Sequence, residues 1–71
     1  AEILELTVKE SSLADGSIVA ELPLPKDVLI GAVVRDGNAE IARGRTKLRD
    51  MDRVIAFAMP HSTASVRRIF G

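Results

Sequence analysis

Seventy-one residues allow one small domain with a thin core, and with no cysteine and a single histidine the chain can use neither a disulfide nor a thiolate zinc site to reinforce it. Ten basic residues balance ten acidic ones and Phe57 and Phe70 are the only aromatics, so the basic surplus and stacking platforms of a nucleic-acid reader are absent. No apolar run reaches the roughly 18 residues of a membrane span, which excludes direct insertion as a helix.

The segment Glu2–Lys9 alternates, with Leu4, Leu6 and Val8 on one face and Glu5, Thr7 and Lys9 on the other, and predicts a half-buried strand. Because the pattern is already running at Ala1-Glu2-Ile3, residues 1–71 are expected to be a single domain from a longer chain. Ser11 to Gly16 breaks the alternation, and Ser17–Leu22 predicts a short helix that Pro23 and Pro25 forbid from continuing. Leu22-Pro23-Leu24-Pro25-Lys26 then places two leucines on a stiffened loop, where they need either the domain's own core or a partner.

Val28–Val34 is continuously apolar and β-branched, the pattern of a strand covered on both faces, and a lone small domain can hardly supply the second cover. Asp36-Gly37 tolerates positive φ and predicts a tight hairpin, with Ala39–Ala42 returning antiparallel. Gly44–Asp52 is polar and turn-rich around Leu48, and Arg53–Met59 predicts a further buried strand stopped by Pro60. Beyond it Ser62 or Ser65 can cap a helix whose apolar face is Val66, Ile69 and Phe70, with Arg67 and Arg68 near its carboxyl end. The fold class is α+β: a small, mostly antiparallel sheet with a short helix after the first strand and a C-terminal helix.

Groups able to do chemistry are sparse. His61 has no nucleophile and acidic orienter arranged around it in sequence, and reads as a capping or solvated residue. Asp50 and Asp52 flank Met51 in a turn, where hydrogen bonding to nearby backbone competes with a divalent cation that would need further ligands. Arg43, Arg45, Lys47 and Arg49 would line one face of an extended segment and greet a phosphate or acidic partner, although solvation and edge protection account for them too. Around the proline loop, Leu22, Leu24, Pro25, Lys26, Val28 and Leu29 form the candidate ligand-binding set. The Leu22-Pro23-Leu24-Pro25 loop and the Val28–Val34 strand are expected at or beside a homodimer seam, with Asp27 positioned to neutralise Lys26.

These pieces together resemble the TrkA-C domain, also called the RCK carboxy-terminal domain, found in regulators of potassium channels and transporters. The resemblance rests on Leu13-Ala14-Asp15-Gly16-Ser17 followed by Ile18 and Glu21-Leu22, and on Leu24-Pro25 before Val28-Leu29-Ile30. Val34-Arg35-Asp36-Gly37, Thr46, Leu48 and Asp52 ahead of the last strand, and the ending Arg68-Ile69-Phe70-Gly71 complete it. It implies a cytoplasmic, non-enzymatic module, peripheral to the inner membrane through a parent transporter, that forms homodimers and partners a cation channel or transporter. It further implies a small, nucleotide-type ligand near the seam in several branches, cyclic di-AMP being the best-known case, and no cofactor within the domain. Two other classes stay open: a small metal-dependent enzyme built on His61, Asp50 and Asp52, and a purely structural oligomerisation module.

Overall fold

Strand β1 (Glu2–Thr7) follows the alternation of its sequence, burying Leu4 and Leu6 and exposing the residues between them, in a computed structural model that describes residues 1–71. Three further strands, β2 (Val28–Arg35), β3 (Asn38–Ile41) and β4 (Arg53–Ala58), complete one antiparallel sheet in the order β1-β4-β2-β3. Asp36 and Gly37 have φ of 53° and 79°, so the two-residue turn joining β2 to β3 has the left-handed geometry that matches strand twist. Helix α1 (Thr63–Phe70) lies against the sheet and contributes Val66, Ile69 and Phe70 to a core shared with Leu4, Leu6, Val8, Ile30, Val33, Leu48, Val54 and Ala56.

Gly31 sets the geometry of β2. The register against β4 slips between Ile30 and Ala32, so one extra residue enters β2 and Ile30 and Val33, three positions apart, both reach the core. A straight strand would send those two side chains to opposite faces.

Two expectations are corrected. The helix expected over Ser17–Leu22 is a single 3₁₀ turn at Val19–Glu21, because Ile18 bridges Lys47 and the Val19 and Ala20 amides donate to the Thr46 and Gly44 carbonyls. Only the Glu21 and Leu22 amides are left to close local bonds, to Ile18 and Val19, before the prolines intervene. The chain covers one face of the sheet and leaves Leu29 on the other 65% exposed, in keeping with the expectation that a lone small domain hardly supplies a second cover for β2. The second correction is the serine cap. Ser62 stands at the start of α1 with its hydroxyl turned away to Asp27, and the preceding 3₁₀ turn Pro60–Ser62 sets the helix direction instead.

Candidate functional site

The proline loop is tied at both ends. The Leu22 amide closes the 3₁₀ turn, the Leu24 amide donates to the Leu22 carbonyl at 2.8 Å, and the Val28 amide donates to Pro25. Asp27 fastens the loop to the start of α1: Ser62 Oγ donates to its Oδ1 at 2.6 Å, and His61 Nε2 lies 2.6 Å from its Oδ2. The Ser62 hydroxyl is the chief cause that holds the Asp27 carboxyl below its ordinary range, and His61 adds to it.

An equivalent clamp closes the other end of the same strand pair. Arg35 donates from Nε to Asp52 Oδ1 at 2.9 Å and from a terminal nitrogen to Oδ2 at 2.6 Å, a bidentate fork, and the Arg49 amide adds a third bond. Asp52 is buried, and the Arg35 hydrogen bonds hold its carboxyl below the usual carboxylate range while raising the guanidinium's own pKa. As Val28 pairs with Ala58 and Val34 with Arg53, the two carboxylates brace opposite ends of the β2–β4 pair.

This geometry separates the residues of the enzyme alternative. His61 is bonded to Asp27 beyond the end of β4, whereas Asp52 is bonded to Arg35 ahead of its start, with six residues of extended chain, about 20 Å, between the two ends. Asp50 uses its backbone amide on Asp15, and no three His, Asp or Glu side chains gather as a metal cage. The arginine segment is also not extended: Thr46 closes a turn on Arg43 through both backbone and hydroxyl, so the four cations share no strand face.

The six candidate residues around the proline loop divide. Leu22 is buried in the domain's own core, and Leu24 and Val28 pack against that core while half-buried. Pro25 is half-buried on the loop, Lys26 is exposed, and Leu29 stands on the open face of the sheet. The Asp27 carboxylate is occupied by Ser62 and His61, so it does not neutralise Lys26 as expected.

Leu29 has company that the reading of the sequence missed. On the open face the register aligns Ile3, Phe57 and Leu29 in one row across β1, β4 and β2, and Ile55, Ala32 and Ile41 in the next. Ile3 is 70%, Ile41 71% and Phe57 39% exposed. Side chains directly opposite on neighbouring strands touch, so the rows form a continuous apolar surface. Gly31 makes room for it: a Cβ at that position would lie 2.8 Å from the edge of the Phe57 ring. The available signal was parity, since Ile3 shares the otherwise polar face of Glu5 and Thr7.

Comparison with known proteins places this arrangement. The family model of the TrkA-C domain matches residues 3–71. The chain is similar to a Trk system potassium uptake protein TrkA homolog of Archaeoglobus fulgidus, 43% identical over 70 residues, covering 99% of this chain and 16% of the relative. It is 36% identical over 70 residues to TrkA homolog 2 of Methanosarcina mazei, with the same coverage, and 39% identical to a homolog of Pyrococcus abyssi, covering 97% of this chain and 31% of that one. An RCK domain solved with cda has the same fold at a TM-score of 0.85 and 15% identity, over the full length of both chains. The chain thus spans about a sixth of the length of the first two relatives.

Proposed function

Because this chain belongs to the TrkA-C domain family, we propose that it is a cytoplasmic, non-enzymatic regulatory unit of a potassium or other cation uptake system. It works by pairing with a second copy of itself and by responding to a small ligand held at the edge of the pair. The observation that carries the pairing is the uncovered apolar face, on which Ile3, Phe57 and Leu29 form one exposed row. A two-fold axis through such a face sets the same patch against itself, and the second copy supplies the cover that 71 residues cannot. The 36–43% identical relatives, all Trk system potassium uptake proteins, support the transport role.

A ligand would lie where the proline loop borders that face, against Leu24, Pro25, Val28 and Leu29, with Lys26 beside it for an anionic group. It can regulate only by favouring one arrangement of the pair over another.

Sedimentation equilibrium at micromolar concentration tests the pairing. Leu29→Glu places one buried charge in each protomer of the pair, and losing about 1.5 kcal/mol per copy weakens association about a hundredfold. An unchanged mass distribution for that variant would move the seam elsewhere. A thermal-shift titration with cyclic di-AMP then separates a regulatory domain from a purely structural one: a ligand at about 100 times its Kd adds roughly 2.7 kcal/mol of stability. A Lys26→Ala variant that pairs normally but loses the shift marks the ligand as anionic.

A further inference from the structure

Beside the free edge of β1, away from the proline loop, an open groove of about 470 Å³ runs between that strand and the last turn of α1. Thr7, Lys9, Arg67 and Arg68 line it together with Glu5 and the carboxyl-terminal Gly71. Its charge is one-sided although the chain as a whole is neutral. The single acidic side chain, Glu5, pairs at 3.2 Å with Arg53. Neither Lys9 nor Arg67 has a carboxylate partner, and Arg68 makes only a 3.3 Å bond to Ser65 Oγ. Three cationic side chains therefore line one groove without an acidic side chain paired to them.

Helix capping does not explain them. Of the last four carbonyls of α1, those of Arg67, Ile69 and Phe70 already accept from the Gly71, Ala14 and Lys9 amides. The helix dipole favours cations at this end, but it accounts for two arginines on the helix and not for Lys9, which comes from the loop after β1. The aliphatic stem of Lys9 is held across Gly71, where a Cβ would lie 2.9 Å from Cδ, so its position depends on the absence of a side chain there.

We infer that this groove binds a multiply charged phosphate group. Three cationic heads can engage three oxygens of a phosphate, where a carboxylate offers two, and the arginine fork matches phosphate oxygens two at a time. The Thr7 hydroxyl can donate alongside them. The groove has the volume of a small-molecule site, and its two apolar members, Leu6 and Phe70, are themselves buried, so the exposed side chains along it are those of Glu5, Thr7, Lys9, Arg67 and Arg68. The cations that carry this inference, Lys9, Arg67 and Arg68, lie outside the strands of the open face, so it does not depend on the proposed pairing.

The test is an amide-resolved NMR titration of the 71-residue chain with inorganic tripolyphosphate, with citrate as a polycarboxylate control compared at equal ionic strength. The expected result is saturable shifts centred on Thr7, Lys9, Arg67 and Gly71, weakening with salt. Affinity should fall at least about tenfold in Arg67→Gln/Arg68→Gln and about threefold in Lys9→Gln. Arg43→Gln/Arg45→Gln, which removes the same charge elsewhere, should leave the groove's binding unchanged beyond that screening. Should the double variant unfold, Lys9→Gln carries the test alone, since its substitution touches no core residue. Linear, unsaturable shifts, equal affinity for citrate, or an equal loss in the Arg43/Arg45 control would each overturn the inference.

Discussion

The two faces of the sheet draw on similar residues and reach opposite ends. On the inner face Leu4, Leu6, Ile30, Val33, Val54 and Ala56 disappear beneath α1, Leu48 and the loop carrying Ala14. On the outer face Ile3, Leu29, Ile41 and Phe57 remain open. The difference lies in supply. One eight-residue helix and a set of loops make a single covering layer, while β2 and β4 are apolar on both sides. The proposed pairing would cover this exposed surface.

A pair of phenylalanines breaks the comparison most directly. Phe70→Ala removes a ring that is 1% exposed in the core and should cost about 3–5 kcal/mol of protomer stability, read by urea unfolding at a dilution where the chain is monomeric. Phe57→Ala on the open face should cost the monomer less than about 1 kcal/mol under the same conditions and should instead weaken association. Equal losses in the two monomers would mean that the faces do not differ as described.

The clamps at the two ends of β2–β4 give a smaller effect and a pH signature. Both Asp27 and Asp52 have folded pKa values below their ordinary range, so their stabilisation is fully present above the unfolded carboxylate value near 3.9. It is lost as pH falls through the lower folded values, because the unfolded chain then binds the protons first. Acid unfolding should accordingly steepen below about pH 4. Asp52→Asn should cost about 2–3 kcal/mol at neutral pH and flatten that acid limb; an unchanged limb would assign the acid sensitivity to other carboxylates.

Gly31→Ala gives the smallest change and the sharpest contrast. The new methyl meets the edge of the Phe57 ring, which is partly exposed and free to swing outward, so protomer stability should shift by less than about 1 kcal/mol. The outer row is then disturbed at its centre, and association should weaken about tenfold by sedimentation. A variant that pairs as tightly as the parent would place the seam away from Phe57.

Periodicity and turn chemistry were enough to reveal much of the chain: the alternation of β1, the Asp36-Gly37 hairpin, the extents of β2 and β4, and the Val66, Ile69 and Phe70 face of α1. These depend on neighbours in sequence, which is where backbone preference and side-chain parity are decided. Other features depended on residues distant in the chain. The helix expected after β1 gave way because Thr46 and Gly44 take its amides, and Asp27 left Lys26 for Ser62 and His61 across 35 positions. Lys9 met Arg67 and Arg68 only when the loop after β1 folded beside the end of α1. Which apolar residues are spare was likewise a tertiary outcome. The bulge at Gly31 assigns Ile30 and Val33 to the core and leaves Leu29 outside, and composition cannot tell these apart because the transfer free energy of an apolar side chain is the same on either face until a covering layer arrives.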